Sequence, residues 1–213
     1  MAGLQELGAR SVPVVARDGR FVFAQVIKEV VDFLDLPDDT APELSPAALA
    51  AKLDEILETA VRLTRQMPDK RLDDLLPNRP RSWRVLMHHV FQIAVAFLDM
   101  EEHGRTLTYE SMIEPPPDGM RTSAAVANHG EAVRVRFEGW WSRTTGEDFA
   151  SRVPTYFGGT TRHEMLERTV WHTAQHVRQV ASLLEQANVA PDRPLTPDDL
   201  RGLPLTDKVW DES

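Results

Sequence analysis

Four stretches of this chain, each about 20 residues long, repeat apolar residues every third or fourth position, and each opens on a serine or threonine. That pattern leaves few options other than a set of long helices packed on their apolar faces. Ser45 caps the first, with Pro46 in its first turn, and Leu49, Leu53, Ile56, Leu57, Ala60 and Leu63 carry the stripe through Met67. Ser82 caps the second, whose stripe is Leu86, Val90, Ile93, Phe97 and Met100, and Gly104 ends it after His103. Thr122 or Ser123 starts the third, through Val126, Val133, Phe137, Trp140 and Trp141 to about Arg143. Thr160 or Thr161 starts the fourth, with Glu164 placed for a capping box and Met165, Leu166, Val170, Thr173, Val177, Val180 and Leu184 on the buried side. Residues 105–121 and 148–160 read as irregular connections.

The fourth helix carries His172 and His176. Residues four apart on a helix share a face, about 6 Å from each other, so two imidazoles can hold one metal ion. Two ligands under-coordinate a divalent ion, and a third has to come from elsewhere. The second helix offers adjacent candidates, His88 and His89. At about 100° per residue, His89 falls about 60° from Leu86 and His88 about 160°. That places His89 toward the interior as the third ligand. It places His88 on the outer face, as a fallback ligand or a group behind the site. Gln175 and Arg178 are placed to hydrogen-bond a substrate or a ligand histidine. Tyr109 and Tyr156 are weaker site candidates. His103, His129 and His163, near helix ends or a polar helix start, are not expected as ligands.

Ahead of the helices, Ser11-Val12-Pro13-Val14-Val15-Ala16 reads as a strand, Arg17-Asp18-Gly19-Arg20 as a hairpin turn and Phe21-Val22-Phe23 as the return strand. A helix from Gln25 to Leu36 follows, and prolines 37 and 42 mark a linker. After residue 190 the chain is proline-rich, and Leu203, Leu205, Val209 and Trp210 are apolar enough to lie against the body. The expected organisation is therefore a ββα appendage at 1–40, a helical body at 45–190 and a packed tail at 191–213. The Trp140-Trp141 pair and the Trp210 tail are compatible with a homodimer.

A net charge of −9 gives no footprint for phosphate backbones, so nucleic acid is not the expected partner. No apolar run reaches the length of a membrane span, and no secretory signal is visible at residues 1–7. The expectation is a soluble, cytoplasmic protein acting on a small molecule. With no cysteine, thiolate metal sites, disulfides and a catalytic dithiol are excluded.

Arg81-Ser82-Trp83-Arg84-Val85-Leu86-Met87-His88-His89-Val90 and Trp171-His172-Thr173-Ala174-Gln175-His176 resemble the corresponding helices of the DinB-like metalloprotein superfamily, over about residues 46–188. The resemblance implies a mainly α protein, an up-down four-helix bundle, with His89, His172 and His176 holding a divalent metal. Three imidazoles suit Zn, Ni, Fe or Co, and the sequence does not choose among them. Several members of that superfamily, among them mycothiol-dependent maleylpyruvate isomerase and bacillithiol transferases, activate a low-molecular-weight thiol at the metal. The implied function is thiol S-transfer to a small electrophile, or its thiol-dependent isomerisation. A non-catalytic metal- or small-molecule-binding protein and a metal-assisted hydrolase are the alternatives. Residues 5–36 resemble the C-terminal end of a glutaredoxin. The Cys-x-x-Cys half of that family is missing, so redox activity does not carry over. Binding of a thiol such as glutathione at Val12 and Pro13 is what this second resemblance implies.

Overall fold

A computed structural model describes residues 14–23, 27–36, 41–76 and 79–210. Strands β1 (Val14–Arg17) and β2 (Arg20–Phe23) pair antiparallel, with Arg17 opposite Arg20. Asp18 and Gly19 at the turn both have positive φ, 52° and 74°, which matches the right-handed twist of a two-residue hairpin. Helix α1 (Ile27–Leu34) packs on β2, and Arg17 donates to the Leu34 carbonyl at 2.9 Å, satisfying an orphan acceptor at the end of that helix. The expected hairpin and helix are therefore present. Val12 and Pro13 lie outside the described residues.

The molecule is mainly helical. Four long helices dominate it: α2 (Pro46–Gln66), α3 (Trp83–His103), α5 (Ser123–Thr144) and α6 (Arg162–Gln186). Between α3 and α5 lies a single turn, α4 (Tyr109–Met112). Each long helix starts where a hydroxyl can accept an unpaired backbone N–H: Ser45 from Ala48, Ser82 from Val85, Thr122 from Ala125 and Thr161 from Glu164. Glu164 closes the capping box by accepting from the Thr161 amide at 2.7 Å. Gly104, at φ 62°, ends α3 in the left-handed conformation that favours glycine.

The long helices pack in a definite pattern. Both α2 and α3 lie along α5 and α6, while α2 and α3 barely touch each other. Contacts between named residues give the directions. Glu101, near the end of α3, pairs with Arg162 at the start of α6, while His89 near the start of α3 meets His176. These two helices are antiparallel. His88 of α3 stacks on His129 of α5, and Phe97 meets Trp140 further along both, so α3 and α5 run the same way. Simple up-down alternation, the expectation above, is therefore not the order observed. The physical reason is the connection between α3 and α5. A 21-residue helix is about 30 Å long, and a chain segment from 104 to 122 can span that length back again.

That returning segment tracks α3 residue by residue. Gln92 donates to the Ser111 carbonyl at 2.8 Å, His89 meets the Met112 carbonyl at 2.8 Å, and Arg84 donates to the Met120 carbonyl at 3.3 Å. It is not wholly irregular. Thr108 and Ser111 form a reciprocal capping box around α4, a turn too short to show periodicity. Likewise, the expected loop at 148–160 contains part of a two-residue ladder, β3 (Arg152–Val153) with β4 (Thr160–Thr161).

The core is one cluster, in which Leu49, Leu53, Leu57, Val90, Phe91, Phe97, Phe137, Trp140, Leu166 and Val177 are buried. Trp140 belongs to it; Trp141 is half-buried against it. The tail lies on the body, as its apolar residues suggest. Lys52 donates to the Asp199 carbonyl at 2.7 Å, Arg62 to the Asp192 carbonyl at 3.0 Å, Leu203 is buried, and Trp210 donates to the Ser182 hydroxyl at 3.1 Å. No helix among the described residues is long and apolar enough to cross a membrane.

Candidate metal centre

His89 from α3 and His172 and His176 from α6 converge. Ring centroids are 5.5 Å apart for His89–His172, 4.8 Å for His89–His176 and 4.9 Å for His172–His176. One nitrogen from each ring lies within 4.8 Å of the others. Nitrogens at about 2.1 Å around a tetrahedral ion sit about 3.4 Å apart, so a small inward turn of the rings completes a three-imidazole site. The helical phase separates His89 from His88 as expected, and the four-residue spacing stacks His172 over His176.

Hydrogen bonds orient two of the three rings. His89 Nδ1 lies 2.8 Å from the Met112 carbonyl oxygen, which can only accept, so the proton sits on Nδ1 and the lone pair on Nε2. His176 Nδ1 lies 2.7 Å from Gln179 Oε1. The orientation of that amide follows from its other end, because Gln179 Nε2 donates to the Val209 carbonyl at 3.0 Å. His176 Nδ1 is therefore also the protonated nitrogen, and its Nε2 is left for the centre. Carbonyl partners behind ligand histidines are how metal sites hold a ring in one tautomer.

Burial keeps His89 and His172 neutral. His89 is pushed down to about 3, chiefly by desolvation, with His176 and Arg81 adding to it and the Met112 carbonyl opposing. His172 is held well below the ordinary histidine range by burial, then by His176, His89, Arg168 and Arg81. A neutral ring offers its lone pair without first losing a proton, which is the form a metal binds.

The structure corrects several sequence expectations. His88 is not on an outer face: it is 3 % exposed and stacks on His129 at 5.2 Å, with the rings 17° from parallel. The phase argument assumed that one side of α3 meets solvent, whereas α5 and the returning segment cover that side too. His88 therefore points away from the triad and does not act as its fallback ligand. Burial and His129 push it down to about 4. Gln175 and Arg178 are also used elsewhere. Gln175 donates to the Val209 carbonyl at 2.8 Å, and Arg178 to the Thr206 and Asp207 carbonyls at 2.8 and 2.7 Å. The irregular tail has backbone acceptors that no helix or sheet satisfies, and these side chains supply the donors. Gln179 takes the role expected of them. Its signal was its place three residues after His176, on the same face. The Met112 carbonyl had no signal, because a backbone oxygen carries no residue identity.

His163 is occupied with the Leu44 carbonyl at 2.7 Å, and neither it, His103 nor His129 joins the triad. The Tyr109 and Tyr156 rings lie 6.2 Å apart, and both are partly exposed. Sequence reading missed two cations. Arg81 acts electrostatically on His89 and His172, and Arg168 acts on His172. Compared with known proteins, the chain matches no family model and no curated sequence.

Proposed function

We propose that the chain is a DinB-like metalloenzyme whose four long helices form the bundle of that superfamily and whose three histidines hold a divalent metal. In this reading it activates a low-molecular-weight thiol, with glutathione as the first candidate, for transfer to a small electrophile or for that electrophile's isomerisation. The observation that carries the reading is the tautomer of His89 and His176. Each ring gives its Nδ1 proton to a protein acceptor, so Nε2 remains to face the third imidazole. His89, His172 and His176 would hold the ion, and a divalent metal there would supply the Lewis acidity that lowers the pKa of a small thiol and makes it a nucleophile near neutral pH.

The chain's own contribution is to hold and shield. Burial of His89 and His176 excludes water from the ligand side, and the Met112 and Gln179 acceptors fix the rings before any ion arrives. The chain contains no cysteine, so sulfur chemistry here requires a thiol from outside. The test is cobalt-substituted protein titrated with glutathione. A thiolate-to-metal charge-transfer band is the expected result. Absence of the band with glutathione and every other small thiol tried overturns the thiol reading, and turnover of activated esters without thiol would assign metal-assisted hydrolysis in its place.

A further inference from the structure

Residues 206–210 run along α6 as a strap. Arg178 gives its two terminal nitrogens to the Thr206 and Asp207 carbonyls, at 2.8 and 2.7 Å. Gln175 donates to the Lys208 and Val209 carbonyls at 3.2 and 2.8 Å, and Gln179 donates to the Val209 carbonyl at 3.0 Å. The Trp210 indole then meets the Ser182 hydroxyl at 3.1 Å. Successive strap groups are thus held by positions 175, 178, 179 and 182, which form one stripe of the helix. Positions 172 and 176, the two candidate metal ligands of α6, lie on the face beside that stripe.

Gln179 belongs to both faces, and its side chain is buried. Its Oε1 lies 2.7 Å from His176 Nδ1, while its Nε2 faces the Val209 carbonyl. The two ends of this planar amide have fixed and opposite requirements. A carbonyl oxygen only accepts, so Val209 takes the NH2 end. The amide oxygen is then turned to His176, where it needs a proton on Nδ1. Reversing the amide would set two oxygens against each other at Val209. It would also bring an N–H to His176 Nδ1, which would then need its lone pair there and its proton on Nε2. With the strap docked, only the first arrangement satisfies every group, and a buried unsatisfied acceptor is costly. With the strap lifted, both arrangements are open.

We infer that the 206–210 strap selects, through Gln179, the tautomer of His176 that turns a lone pair on Nε2 toward a metal, so that strap docking and metal binding stabilise each other. Control of the tautomer stands on these contacts alone; its effect on metal affinity rests on the metal-centre reading.

The test uses the full chain, free of metal, at about pH 8, where an ordinary histidine is neutral. Nitrogen NMR reads the His176 tautomer, and backbone relaxation reads the order of residues 207–209. Wild type should show the proton on Nδ1 and an ordered strap. Arg178→Ala combined with Trp210→Ala removes anchors at both ends of the strap and leaves His176 and Gln179 in place. It should loosen residues 207–209, mix the two tautomers and weaken zinc binding about three- to tenfold. Adding Gln179→Glu, a side chain that only accepts when ionised, should return His176 to the Nδ1–H form although the strap stays loose. Should the combined variant fail to fold, Trp210→Ala alone decides by the same readouts. A proton on Nε2 in wild type, a loosened strap with the tautomer unchanged, or an unmoved strap in the variant overturns the inference. Mixed tautomers with undiminished zinc affinity overturn the coupling. Tautomer control in a protein that binds no zinc would sink the metal reading and leave the strap's action on His176 standing.

Discussion

His176 Nδ1 and Gln179 Oε1 are 2.7 Å apart, and the far end of the same amide donates to the Val209 carbonyl. The tail is therefore linked to a candidate metal ligand through one side chain. Gln179→Leu removes the acceptor and frees the ring to turn. Metal affinity should fall about 10–100-fold, with helix content unchanged. Competition against a chromophoric chelator, alongside circular dichroism, measures both. An affinity equal to wild type would show that Gln179 holds only the tail.

Replacement of His89, His172 or His176 by alanine should abolish metal stoichiometry, as read by elemental analysis. His88→Ala should keep the metal. It should nevertheless lower stability by about 1–3 kcal/mol, because it leaves a void between α3 and His129 where a buried ring now packs. Loss of metal on replacing His88, but not His89, would reverse the assignment.

Glu167 gives a pH dependence of known sign. Burial, with Glu164 and Glu43 nearby, pushes it up to about 7. The folded state thus holds this proton more tightly than the unfolded chain does. Its contribution to stability is complete below the ordinary carboxylate range and is lost as pH rises toward and through about 7. Glu167→Gln should therefore match wild type near pH 4.5 and exceed it at pH 8, by about 1–2 kcal/mol after solvent screening. Urea denaturation at the two pH values checks this. Equal differences at both would mean the carboxyl titrates normally.

Arg162 and Glu101 tie the start of α6 to the end of α3, with the Glu101 side chain only 3 % exposed. Arg162→Ala strands that carboxylate in the interior and should cost about 3–5 kcal/mol. The double replacement with Glu101→Leu should recover much of the loss. Equilibrium unfolding of Arg162→Ala, Glu101→Leu and the double variant against wild type gives the coupling directly.

The helices and three imidazoles were readable because both depend on local periodicity. Ser45, Ser82 and the 3.6-residue repeat announce helix starts and faces, and His89, His172 and His176 follow from the same arithmetic. His88 was misread because a phase angle describes one helix by itself, whereas α3 is covered on two sides. The relative direction of α3 and α5 is set by how far a connection travels, which no residue in it declares. Gln175 and Arg178 looked like site residues by proximity along the chain; the tail carbonyls they serve become visible only once the tail is placed. Arg81 is eight positions before His89 and carries no helical relation to His172, so its charge at the site emerges only from the packing.

Because α3 and α5 point the same way, the stretch joining them has to retrace the whole helix, and its route takes the Met112 carbonyl past His89. A tight turn there would flip α5 end for end. Deletions in this stretch should therefore register first as a loosened His89 ring, long before they unseat the helices, and lineages of such proteins are expected to vary that length far less freely than the link between α2 and α3.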